Sequence, residues 1–146
     1  MKSFLVAAAL AAFSAAAPAQ FAMVPAPDLK AAPRASEAEI EKEYRIDGAR
    51  HLYAAYGKRI YKGKLPPLLY SVMVVETEID GTGKVVNVSV IRKPAAAEVA
   101  QWIIELIKRA SPFPAPQKMG SVRYVDVWLV DKGGQFQLDT LTEGQR

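Results

Sequence analysis

The sequence predicts a single α+β domain in which helices pack on one face of a small antiparallel β-sheet. In some stretches apolar residues recur every three or four positions, which is the spacing of an amphipathic helix. In others they alternate with polar residues, as in a half-buried strand. These stretches follow the order helix, hairpin, helix, strand, and 146 residues leave room for one such domain. We therefore expect the order α-β-β-α-β with three strands, or four if the residues after the last turn also pair.

The first helical region is expected in two parts. Ser36 followed by Glu39 is the pattern of a capping box, so a helix is predicted over residues 36–48, ending at Gly48. A second helix is predicted over residues 49–61. Its apolar face comprises Leu52, Tyr56 and Ile60.

A β-hairpin is predicted between residues 69 and 91. The turn is Asp80-Gly81-Thr82-Gly83, whose residue types favour a tight reversal. Alternation places one apolar side of each strand toward the core. These residues are Met73, Val75, Thr77 and Ile79 in the first strand, and Val86, Val88 and Val90 in the second.

An amphipathic helix and a strand complete the predicted fold. The helix covers residues 95–110, with Val99, Trp102, Ile103, Leu106, Ile107 and Ala110 on one face. The proline-rich residues 111–116 end it and place Phe113 inward. In the strand over residues 121–130 the expected core side is Val125, Val127 and Leu129. Trp128, on the other face, is either an interface anchor or part of a second small core under residues 49–61. Phe136 and Leu138 begin the candidate fourth strand.

The N-terminus has the layout of a secretory signal peptide. A basic start is followed by an apolar run over residues 4–17 and by Ala17-Pro18-Ala19 before Gln20. We expect cleavage there and a periplasmic product; the alternative is an uncleaved signal anchor in the inner membrane. The expected organisation is a signal peptide (1–19), a Pro/Ala-rich linker (20–35), an N-terminal helix (36–48), the main domain (49–140) and a loose tail (141–146).

The composition does not favour catalysis. The chain has no cysteine and a single histidine, His51, so thiol chemistry and His/Cys metal sites are not expected. Glu76 and Glu78 are interpreted as solvent-facing residues of a strand. We therefore expect no enzyme activity, no catalytic residues, no cofactor and no metal. The net charge is +4, and the cluster Lys58, Arg59, Lys62 and Lys64 is too short for a nucleic-acid arm, so it is interpreted as a solvated helix face.

Three passages together resemble the periplasmic C-terminal domain of the TonB/TolA family. The first is the hairpin, whose Asp80-Gly81-Thr82-Gly83-Lys84-Val85-Val86-Asn87-Val88 is similar to the family's turn and second strand. The second is the helix exit Ala110-Ser111-Pro112-Phe113-Pro114, and the third is the terminal strand over residues 124–130. The resemblance extends over residues 49–138. The Tyr-Pro start of TonB domains, the long spacer, and the Ser and His that engage a proton-driven motor are missing, which argues against energy transduction.

The resemblance implies a protein-binding module that captures a segment of another envelope protein by strand addition. The implied partner is an outer-membrane receptor or a Tol-Pal-like component, and the implied partner-facing edge is the last strand. Its residues are Arg123, Tyr124, Val125, Asp126, Val127, Trp128 and Leu129. No nucleic acid is expected, and membrane contact only if the N-terminal segment is retained. An inner-membrane transducer of the TonB type is the alternative function, and a homodimer through the terminal strand remains open.

Overall fold

A computed structural model of the protein describes residues 18–146; residues 1–17, and with them most of the predicted signal peptide, lie outside this range. The described chain forms an α+β fold with a four-stranded antiparallel sheet in the order β2-β1-β3-β4. The elements are α1 (Ala19–Ala22), α2 (Glu41–Ala55), β1 (Ser71–Ile79), β2 (Val85–Arg92), α3 (Ala97–Arg109), β3 (Val122–Val130) and β4 (Phe136–Leu138). The predicted fold class is confirmed, and the candidate fourth strand is present.

Helix α2 is one continuous helix, so the predicted break at Gly48 is wrong. Gly48 is buried in the middle of α2, where a residue without a side chain allows close packing against the sheet. The capping box is also absent, because α2 begins at Glu41. The Ser36 hydroxyl instead donates to Asp47 Oδ2 at 2.6 Å and accepts the Ala38 N–H at 3.1 Å.

The hairpin forms as predicted in β1, where residues alternate between buried and half-buried along the whole strand. Strand β2 departs from simple alternation because the pairing with β1 shifts twice, after Val85 and after Val90. Each shift inserts one extra residue, a β-bulge, and turns the following side chains to the other face. Val86 is therefore exposed, although alternation predicted it on the core side, and Val85 lies inward instead.

The amphipathic helix α3 buries its predicted apolar face. The proline-rich connector that follows is held at its centre, where the Phe113 N–H donates to the Gly83 carbonyl oxygen at 2.7 Å. Gly83 has a φ of +92°, and a Cβ placed on it would lie 2.1 Å from the Phe113 carbonyl oxygen. Only glycine fits this position of the hairpin turn.

The face of β3 that packs against the core is the opposite of the predicted face. Tyr124, Asp126 and Trp128 point inward and are buried, whereas Val125 and Val127 are half-buried on the outer face. Both faces of this strand are apolar, so alternation alone could not choose between them. The helical layer covers the face with the larger aromatic side chains, and Trp128 belongs to a single continuous core.

Residues 19–36, here called the N-terminal arm, are packed on the fold, so the segment predicted as a Pro/Ala-rich linker over residues 20–35 is held against the domain. Phe21 is buried, stacks on Tyr70 with the ring centres 5.5 Å apart, and meets Trp102 edge-on at 5.2 Å. This aromatic contact offsets the entropy of ordering the arm. The buried apolar residues of the described chain lie between Phe21 and Leu138, so a chain that begins at Gln20 retains this core.

Main-chain hydrogen bonds hold both the N-terminal arm and the C-terminal tail, of which the tail was expected to be loose. In the arm, the Asp28 N–H donates to the Ala55 carbonyl oxygen at 2.8 Å. At the C-terminus, the Leu65 N–H donates to Gly144 and the Arg146 N–H donates to Leu65. The tail after residue 140 is thus paired with a preceding loop, and the prediction of a loose tail is wrong.

Candidate functional site: the edges of the sheet

The strand predicted to be the partner-facing edge lies inside the sheet. Strand β3 pairs with β1 along all nine of its residues and with β4 at Trp128, Leu129 and Val130. In the part of β3 from Val122 to Val127, one side of the strand pairs with no other strand. The prediction that the whole segment from Arg123 to Leu129 is an edge is therefore wrong, because β4 covers its end.

Side chains cap the part of β3 that has no neighbouring strand. The Val125 N–H faces the Glu41 carboxylate at 3.4 Å, and the Val127 N–H donates to Asp126 Oδ1 at 2.9 Å. The Thr140 N–H also lies 3.3 Å from Asp126 Oδ1. A partner strand at this edge would have to displace Glu41 and Asp126, which makes addition here unfavourable.

Asp126 is a structural residue of this closed edge. It is only 4% exposed, and burial raises the pKa of its carboxyl above the usual 3.8, against the opposing effects of its hydrogen bonds and of the Arg45 charge. Its Oδ2 atom is buried without a hydrogen-bond partner, as are Arg45 Nε and Thr140 Oγ1. The carboxylate therefore holds β3 to the turn after β4.

The other predicted site residues of β3 also have structural roles. Tyr124 packs edge-on against Tyr44 of α2 at 5.5 Å, and burial raises the pKa of its phenol well above 10.0. Trp128 lies 4.5 Å from the ring of Phe136. Arg123 is exposed and forms an ion pair with Glu78 across the outer face at 3.4 Å. None of these three side chains is positioned toward an open edge.

Strand β2 provides an open edge at the other side of the sheet. By the alternation of the β1–β2 ladder, the N–H groups of Val85, Val88 and Val90 point away from β1. Ser111 Oγ accepts the N–H of Val85 at 3.1 Å, whereas within the described chain no group accepts those of Val88 and Val90. A regular stretch from Asn87 to Val90 lies between the two bulges.

The two bulged residues add apolar surface to this open edge. Val86 is 49% exposed and Ile91 is 59% exposed. Lys84, Arg92 and Lys93 flank the strand, and such charges discourage non-specific pairing. The alternation of apolar and polar residues could not reveal this edge, because a bulge has no reliable sequence signal. The sequence indicated it only through the charged residues at the two ends of β2.

The remaining candidate residues do not form a reactive site. His51 is buried and its Nε2 lies 2.7 Å from the Ala110 carbonyl oxygen, so the ring caps the end of α3. Burial lowers the pKa of His51 below the usual 6.5, although this hydrogen bond acts in the opposite direction. Among residues 18–146, no three side chains of the types that bind metals are grouped together.

Comparisons with protein-family models, with curated proteins and with solved structures find no match. Within residues 18–146, none of the helices combines the length and the apolar character that crossing a membrane requires.

Proposed function

We propose that the protein is an exported envelope protein of the TonB/TolA type, which binds an extended segment of another envelope protein by strand addition at β2. The observation that carries the proposal is the contrast between the two sides of the sheet. The edge of β3 is covered at its end by β4 and capped by Glu41 and Asp126, whereas no group of residues 18–146 accepts the N–H groups of Val88 and Val90.

The geometry of β2 supplies both affinity and selectivity. A partner strand gains main-chain hydrogen bonds from Val88 and Val90, each worth about 1 kcal/mol net. The exposed side chains of Val86 and Ile91 provide apolar contacts at both ends of the regular stretch. The bulges limit this stretch to about four residues, so the recognised segment is short, and the bulges disfavour indiscriminate pairing.

Export to the periplasm is the second part of the proposal. It depends on the basic start, the apolar run and the small residues before Gln20. Cleavage after Ala19 would leave Phe21 as the second residue, so the mature chain would still bury it against Tyr70 and Trp102. The intact mass of the protein in each cell fraction tests this: a soluble periplasmic species that begins at Gln20 supports export, and an uncleaved cytoplasmic chain contradicts it.

The alternative, an anchored transducer of the TonB type, has less support. A transducer needs a free spacer between its anchor and its binding domain, and the N-terminal arm is the described segment that precedes α2. Phe21, Asp28 and Ser36 each fix this arm to the domain. The outer-membrane receptor or Tol-Pal-like component suggested as partner must therefore be reached by diffusion of the mature protein.

Site-specific cross-linking tests the edge directly. A photo-reactive amino acid replaces Ile91 on β2 or, as a matched control, Ile46 on α2, which is also an exposed isoleucine. In the native envelope, we expect one cross-linked partner at position 91 and none at position 46. With that partner added, the amides of Val88 and Val90 should exchange with solvent at least about tenfold more slowly.

Charged substitutions provide an independent test. The double variant Val86→Lys/Ile91→Lys should lose partner binding, because two charges would be placed in the new strand pair. Ile40→Lys/Ile46→Lys is the control, since Ile40 directly before α2 and Ile46 within it are also exposed. If both double variants bind the partner equally well, or if the amide protection appears at Val125 instead, strand addition at β2 is wrong.

A further inference from the structure

One end of the molecule combines exposed cations with exposed apolar side chains. It is the end at which the chain enters the fold, and we call it the entry surface. Its residues are the exposed Lys58, Lys62, Lys64 and Lys132 and the half-buried Arg59, together with the exposed Met23 and Leu68. The segment that carries Lys62 runs beside β4, the strand at the other edge of the sheet from β2.

The N-terminal arm links the segment of Arg59 to the turn that carries Lys132. The side chain of Gln20 donates to the Lys132 carbonyl oxygen in the turn between β3 and β4. A Cβ placed on Gly134 in the same turn would lie 3.2 Å from Gln20 Cβ and 3.3 Å from Arg59 Nη1. The arm, the turn and the segment Gly57–Arg59 therefore meet at one place.

The segment that carries the next two cations is fixed along β4. The Tyr61 N–H donates to the Phe136 carbonyl oxygen at 2.9 Å, and the Gln137 side chain donates to the carbonyl oxygens of Tyr61 at 2.8 Å and Gly63 at 2.7 Å. Lys62 and Lys64 alternate with these anchored residues and are exposed. Their ammonium groups are thus held on the surface by an ordered backbone.

Two apolar side chains border these cations. Phe21 stacks on Tyr70. Met23 lies two residues after Phe21 and is 78% exposed, and Leu68 lies two residues before Tyr70 and is 89% exposed. Isolated exposed apolar residues are common, but Met23 and Leu68, the two most exposed large ones of the described chain, lie on two segments that the stacking of Phe21 on Tyr70 joins. An apolar tip surrounded by cations is typical of surfaces that contact the interface of a membrane.

The charges of the entry surface are not neutralised by ion pairs. The four ion pairs of the described chain use Arg109, Lys118 and Arg123 as their cations, and none of the five cations defined above. Three acidic groups lie among these cations: Asp28 lines a cavity with Lys58 and Arg59, Glu143 accepts the Gly63 N–H, and Asp131 accepts the Gln135 N–H. The surface therefore has an excess of positive charge.

We propose that the entry surface docks on a membrane that contains anionic phospholipids. The cations would contact lipid phosphates, and Met23 and Leu68 would enter the headgroup region. The charge of the surface supports this choice of occupant, because its cations outnumber the acidic groups among them and lipid phosphates are anionic. The residues of this surface are not those assigned to strand addition, so membrane contact does not depend on strand addition.

Vesicle flotation with the chain that begins at Gln20 tests the proposal without a contribution from the apolar run. We expect it to float with vesicles of phosphatidylglycerol and phosphatidylethanolamine but not with phosphatidylcholine alone, and to be released by added salt. Each cation contributes about fivefold to such binding, so Lys62→Gln/Lys64→Gln should weaken it by about 25-fold. Leu68→Ser should also weaken it.

The matched control is Lys84→Gln/Lys108→Gln, which removes two exposed cations beside the hairpin turn and in the last turn of α3, at the other end of the sheet, and should leave flotation unchanged. Absence of binding to the anionic vesicles, equal binding to the neutral ones, or an equal loss in the control would each overturn the proposal. So would a result in which Lys62→Gln/Lys64→Gln weakens binding to duplex DNA but leaves flotation intact, because the surface would then be a nucleic-acid site. The strand-addition proposal is tested separately by cross-linking at Ile91.

Discussion

Gly48 of α2 lies directly against the phenol of Tyr124 in β3: a Cβ placed on Gly48 would be 2.8 Å from the tyrosine oxygen and 2.9 Å from its ring. The glycine that the sequence suggested as a helix end is therefore a contact point between helix and sheet. Its absent side chain allows α2 to approach the strand, and Tyr44 on the same helix packs edge-on against the same ring.

The variant Gly48→Ala should destabilise the protein. Alanine gains about 1 kcal/mol in helix propensity, but the added methyl group must displace the Tyr124 ring, and overpacking of this kind costs about 1–3 kcal/mol. We expect a net loss of about 1 kcal/mol in the free energy of unfolding by urea. Gly57→Ala is the control, since a Cβ there meets nothing within 4 Å. Equal stability of Gly48→Ala and wild type would contradict the contact.

Phe21→Ala should release the N-terminal arm. Truncating a buried phenylalanine costs about 3–5 kcal/mol when the surroundings cannot relax, and we expect about 2 kcal/mol here because the arm can detach. Trp102, which contacts Phe21, should fluoresce at longer wavelength as water enters, and residues 20–35 should become sensitive to protease. Met23→Ala, at an exposed position of the same arm, should change neither property.

The stability of the protein should fall as the pH drops below 6.5, partly because of His51. Burial lowers its pKa in the folded state, so below 6.5 the unfolded chain binds a proton more readily than the folded one. Stability from this residue is complete above 6.5 and is lost as the pH falls toward the folded-state pKa. His51→Gln retains a donor for the Ala110 carbonyl and should show a weaker loss between neutral pH and about pH 5 in urea titrations. An identical loss in both proteins would refute this role.

Two substitutions of Asp126 should separate its hydrogen bonds from its charge. Asp126→Ala leaves the N–H groups of Val127 and Thr140 without their acceptor and should cost about 1–2 kcal/mol. Asp126→Asn retains an oxygen acceptor and removes the buried charge. The folded-state pKa of Asp126 is raised, so the protonated carboxyl favours folding at low pH and this contribution is lost as the pH rises.

The asparagine variant should therefore be at least as stable as wild type at neutral pH, and this difference should shrink as the pH approaches 3.8. Thermal unfolding across this range measures both variants. If Asp126→Asn is as unstable as Asp126→Ala at every pH, the acceptor role assigned to the carboxylate is wrong.

The sequence by itself determined the α+β class, the core face of β1 and the buried face of α3. In each of these elements the polar and apolar residues differ enough in position that only one arrangement buries the apolar set. The turn at Gly83 was also predictable, because its residue types allow few other conformations. For the candidate site, the sequence predicted an edge along the whole of residues 123–129, but β4 covers the end of this segment.

Tertiary structure decided the rest, because the competing local patterns had nearly equal energies. Both faces of β3 are apolar, and packing of the bulky Tyr124 and Trp128 under the helices chose between them. Pairing of β4 closed the edge of β3, and the bulges at Val86 and Ile91 shaped the open edge of β2. The role of Gly48 depends on its contact with Tyr124, and the role of Phe21 depends on its contacts with Tyr70 and Trp102. These partners are distant in sequence, so no local pattern contains such contacts.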